Sequence, residues 1–209
     1  MNHAAADERT VHRLEAFSDI VIGFGLAELG AILTFDSKTV ALTSVGVIAF
    51  FGAFAIVCSL WYFHHRLFEN FFVPKALPIV LNFLWLAIVV LLVYCAAHFD
   101  SARAFAERDT VMLYFGLYAS AYAILALQTT LGIRARPNVE PQLRDKARRN
   151  ILFMSLWTAI FAVCLALVAT MPPTQALGQA IDATFAIGAI CSISMGAYFR
   201  RRRGVTNNA

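Results

Sequence analysis

The residues best suited to chemistry fall in three places. The first is the segment Arg13-Leu14-Glu15-Ala16-Phe17-Ser18-Asp19, where Arg13, Ser18 and Asp19 supply a cation, a hydroxyl and a carboxylate. Arg13 and Phe17 stand four apart and so share a helix face. The second is Trp61-Tyr62-Phe63-His64-His65-Arg66-Leu67-Phe68, which adds two imidazoles and a guanidinium to an aromatic run. The third is Glu28, a lone acid inside an apolar stretch. Polar and ionisable groups withdrawn from water need partners. The first two segments therefore predict a cross-helix network in which Asp19 or Ser18 is bonded to a histidine.

Several chemistries are excluded. His64 and His65 diverge by about 100° on a helix and do not readily hold one ion together. His98 belongs to the opposite membrane face, about 30 Å away, which rules out a shared haem. Cys58, Cys95, Cys164 and Cys191 lie in apolar runs, where cysteine acts as a small hydrophobe, and no pair has metal-ligand spacing. No credible catalytic serine–histidine pair falls at one depth, and Asp19 and Asp182 fall on opposite sides, which leaves no protease dyad. The chain is expected to be no enzyme and to hold no cofactor and no resident metal, beyond transient cation contact at Glu28.

These residues must be positioned by helices in lipid. Of 209 residues, 60% are hydrophobic and 14% charged, and the mean hydropathy is +0.68. A soluble domain carries about 25% charged residues, so this surface is expected to face a bilayer. About 20 apolar residues cross the hydrocarbon core, and six stretches qualify: Phe17–Phe35, Val40–Phe63, Leu77–Ala97, Val111–Leu131, Ile151–Thr170 and Gly178–Phe199. An all-α, six-span, single-domain membrane protein is predicted, without a signal peptide, internal repeat or soluble domain. The charged stretch Gln142–Arg149 reads as a helical extension into the fifth span. With the amino terminus inside, Lys38, Arg103 and Arg108 alone of the 17 Lys and Arg residues lie outside. The positive-inside rule then places both termini in the cytoplasm of a multi-pass cell-membrane protein. Arg200-Arg201-Arg202-Arg203 closes the last span and faces anionic lipid; nucleic-acid binding is not indicated. Asp182, in the first turn of the sixth helix, complements the helix dipole.

Arg13-x-x-x-Phe17-Ser18-Asp19 at the start of a first span resembles the signature of the lysosomal potassium channel family, the transmembrane protein 175 type. His64-His65-Arg66-Leu67-Phe68 is similar to the segment closing the second span of its bacterial, inner-membrane members, and Asn82 resembles a recurrent position in the third. The resemblance implies a homotetramer whose first helices line a central pore for potassium or other monovalent cations, with an apolar constriction that gates by dewetting. Counted from Asp19, the family's constriction positions correspond to Phe24, Glu28 and Ala31, which share one helix face. The family carries isoleucine or leucine there, so Glu28 is a departure.

Glu28 falls about 13 Å beyond Asp19 along a helix axis, near mid-membrane, where a carboxylate faces a cavity or a partner. Four copies around an axis would form a cation-binding or proton-sensitive ring; within one subunit Glu28 would be a protonated, bonded side chain. The neighbouring Gly23, Gly25 and Gly30 suit close helix packing or a gating hinge. The alternative function is a proton- or ion-coupled secondary transporter using Glu28 and Asp182.

Overall fold

The computed structural model describes residues 3–35, 44–97, 108–136 and 138–170. Among them are five α-helices and no strand: α1 (His3–Phe35), α2 (Ser44–Asn70), α3 (Ala76–Ala97), α4 (Arg108–Arg134) and α5 (Pro141–Thr170). Among the described residues, three helical segments are long and apolar enough to cross a membrane, namely Ala76–Cys95, Arg108–Arg134 and Pro141–Thr170. The sixth stretch, with Asp182 and the four terminal arginines, lies outside the described residues, as does His98.

The helices outrun the apolar stretches that predict them. α1 has 33 residues, about 50 Å of helix, and starts at His3, well before the apolar stretch that begins at Phe17. α2 continues past Phe63 to Asn70, which puts His64, His65 and Arg66 inside the helix rather than at its end. α5 begins at Pro141, so Gln142–Arg149 is helical as expected. Proline suits that first position because its missing N–H has no intrahelical acceptor, and the Glu140 carbonyl accepts the Arg144 N–H at 3.0 Å. α4 carries Asp109 in its first turn and Arg134 in its last, each complementing the helix dipole. α2 stops where the Phe71 and Phe72 N–H groups both reach the Leu67 carbonyl, at 2.7 and 2.8 Å, just before Pro74.

α4 and α5 form the most extensive pair, and α3 packs on both α1 and α4. The α4–α5 seam is aromatic: Tyr118 stacks on Phe161 with centroids 4.7 Å apart, and Tyr122 lies 5.9 Å from the same ring. Tyr122 reaches Ser59 of α2 through a hydroxyl–hydroxyl bond of 3.3 Å. The core centres on Trp85, Leu60, Leu125, Tyr118 and Phe161, all essentially without solvent exposure. Close helix approach falls at Gly132, where an added methyl would run into the Phe71 carbonyl. Gly25 faces Val93 with ordinary space for a methyl, while Gly23 and Gly30 meet no described neighbour. The packing role expected of the α1 glycines is thus slight at Gly25 and not seen at the other two.

Candidate functional site: a polar network joining three helices

At the end of the bundle where α1 enters, polar side chains of α1, α2 and α3 interlock. His64 Nε2 lies 2.8 Å from Asn82 Oδ1, and Asn82 Nδ2 donates to Ser18 Oγ at 3.3 Å. The Ser18 hydroxyl donates to the Leu14 carbonyl at 2.7 Å. Direction follows from this order. Ser18 spends its proton on Leu14 and must accept from the Asn82 amide. The Asn82 oxygen therefore faces His64, whose Nε2 carries the hydrogen. Ser18, His64 and Asn82 are all fully buried, and His64 stacks on Trp85 with ring centroids 4.3 Å apart. His64 Nδ1 has no hydrogen-bond partner among the described residues; a proton there would bury an unpaired donor, so the network suits the neutral ring.

A second, more exposed layer runs alongside. Trp61 Nε1 donates to Asp19 Oδ1 at 2.9 Å, and His65 Nδ1 donates to Glu15 Oε1 at 3.0 Å. Trp61 and His65, one turn apart on α2, stack with centroids 5.6 Å apart, so each braces the other against α1. His12 approaches the same Glu15 carboxylate at 3.9 Å.

The predicted network therefore exists with different partners. Neither Ser18 nor Asp19 bonds a histidine: Asn82 stands between Ser18 and His64, and a tryptophan takes Asp19. His64 and His65 diverge as the helix period requires, one into the core and one to the α1–α2 edge. Arg66 stands apart from the network, bonded to the Tyr62 hydroxyl at 3.2 Å and to Glu69 at 3.2 Å. Arg13 is exposed. Phe17 meets Phe83 of α3 edge-on, centroids 6.0 Å apart. Glu15, Trp61 and Trp85 were not legible as members of this site. Their signal was spacing: Glu15 one turn before Asp19, Trp61 one turn before His65, Trp85 three residues after Asn82.

The network fixes which face of α1 turns inward. Ser18, Ile22 and Gly25 are buried against the bundle, Phe17 is half-exposed at the α3 edge, and Ile20 and Phe24 point away. Phe24 is 74% exposed. Glu28, one turn on, is also exposed and lines an open groove between α1 and α3. Ala31 follows on α1 at the same helix register. No group of three or more metal-ligating side chains occurs among the described residues.

Comparison of the chain with family models, curated proteins and solved structures found no match.

Proposed function

We propose that this chain is one subunit of a cation channel in which copies of α1 surround a water path. In this reading the chain has six spans with both termini in the cytoplasm of a bacterial inner membrane. The path is a homotetramer's central axis, and Phe24, Glu28 and Ala31 face it. The observation that carries the proposal is the outward face of α1: Phe24, a bulky apolar side chain, is 74% exposed, and one turn on is an exposed carboxylate. A carboxylate in an apolar span is costly unless it meets water, a cation or a partner, and a ring of such groups attracts cations. The likeness of Arg13-x-x-x-Phe17-Ser18-Asp19 to a potassium channel signature makes potassium the first ion to test.

The test is reversal potential in liposomes under potassium, sodium and proton gradients. A cation-selective, non-saturating conductance is expected. Phe24→Ala should raise it by opening the neck, and unchanged flux would remove Phe24 as the constriction. Saturating, gradient-coupled uptake in place of a conductance would overturn the channel reading in favour of a transporter.

A further inference from the structure

We propose that the groove between α1 and α3 binds an amphiphilic ammonium, its cationic head against Glu28 and its alkyl chain laid toward Phe17 and Phe83. The groove is open along one side and has a volume of about 600 Å³. α1 and α3 run parallel along it, because Ser18 meets Asn82 near one end and Gly25 faces Val93 further along. The Phe17 and Phe83 rings close the end beside the polar network. Eleven residues on, Glu28 of α1 and Tyr94 of α3 line the other end, about 16 Å away. That length suits a single chain of about ten carbons.

Charge selects the occupant. Glu28 and Tyr94 are the polar side chains of the lining, and the remainder is hydrocarbon. Glu28 has neither an ion pair nor a hydrogen bond among the described residues. A carboxylate at this depth calls for a partner. A bare metal cation would find too few oxygens here, since hard cations take several. An organic ammonium answers both demands: its charge meets Glu28, the face of an aromatic ring such as Tyr94 attracts it, and its chain fills the apolar wall. The lining comes from one chain, and its occupancy is measured without reference to conductance.

Carbodiimide labelling tests it. In phosphatidylcholine nanodiscs, dicyclohexylcarbodiimide should form an N-acylurea on Glu28, read by peptide mass spectrometry. Decyltrimethylammonium should slow that labelling about tenfold, whereas decanol at equal membrane concentration should leave it unchanged. Ala87→Phe, on the exposed α3 wall of the groove, should keep Glu28 reactive but abolish protection. Equal protection by decanol, undiminished protection in Ala87→Phe, or a Glu28 that labels with no protection would each overturn the proposal. A Glu28 inert to the reagent from the start would overturn it too, by showing the groove already covered, as by a second copy.

Discussion

Asn82 uses one side chain to hold three helices together: its oxygen takes His64 of α2 and its amide nitrogen gives to Ser18 of α1. Asn82→Leu would keep the volume and leave the His64 donor buried without an acceptor. Buried groups orphaned in this way cost about 1–3 kcal/mol, moderated in lipid because the unfolded chain also finds partners. A loss of about 1–2 kcal/mol is therefore expected in detergent-titration unfolding, with a larger loss than for Trp61→Phe, whose contact to Asp19 is exposed. Gln128 gives the opposite sign. It is 2% exposed, and both its amide atoms lack a partner among the described residues. Gln128→Met should stabilise the bundle by about 1 kcal/mol; a destabilised variant would show that the amide is bonded in the working protein. Ser18 and the histidines were legible in the sequence because polar types at the edge of an apolar run have few places to go, and Asn82 only through the family resemblance. Their pairing was not, since a one-dimensional reading gives depth along each helix but not the rotation that decides which neighbour a side chain meets.

At the scale of the element, the end of α2 is where the bundle is tied. The Arg136 guanidinium donates to the Asn70 carbonyl at 2.6 Å and to the Phe72 carbonyl at 3.2 Å, while Lys146 reaches Asn70 Oδ1 at 2.9 Å. Two cations thus sit on the negative end of the α2 dipole: Arg136 satisfies main-chain carbonyls at and just past the helix end, and Lys146 holds the Asn70 side chain. Both residues counted in the sequence only toward an expected cytoplasmic side; that they also hold the end of a helix more than 60 residues away could not be seen from charge counting. Arg136→Met should cost about 1 kcal/mol, the exposed setting limiting it, and should loosen the α4–α5 loop in hydrogen exchange. Gly132→Ala acts at the same junction by sterics. Its methyl would meet backbone, which cannot rotate aside, so α4 must shift from α2 at a cost of about 2 kcal/mol or more. Gly25→Ala, with space before Val93, should be near neutral; equal losses at both positions would contradict the packing described here. The existence of the helices followed from apolar length, and the charged extension over Gln142–Arg149 was legible too, but the run of α2 beyond Phe63 was not, because it is carried by capping and tertiary contact rather than by hydropathy.

For the whole molecule, these ties constrain orientation. The entry of α1, the ends of α2 and α4 and the starts of α3 and α5 lie together, as the contacts of Glu15 with His65, Ser18 with Asn82, and Asn70 with Arg136 and Lys146 require. This end gathers Arg66, Lys75, Arg134, Arg136, Arg144, Lys146, Arg148 and Arg149, whereas the start of α4 at the far end offers Arg108. In the proposed topology this basic end faces inward, as the positive-inside rule favours. With the native cysteines replaced, Asn138→Cys and Lys75→Cys should react with a membrane-impermeant maleimide in inside-out vesicles only, and Asp109→Cys in right-side-out vesicles only. The two kinds of failure mean different things. If all three sites report the reverse, the fold stands and the insertion direction is wrong, which would put the Asp19 end of α1 at the outer face. If Asn138→Cys and Lys75→Cys report opposite sides, Arg136 and Lys146 cannot cap α2, and the bundle itself, with the outward turn it gives to Phe24 and Glu28, is refuted.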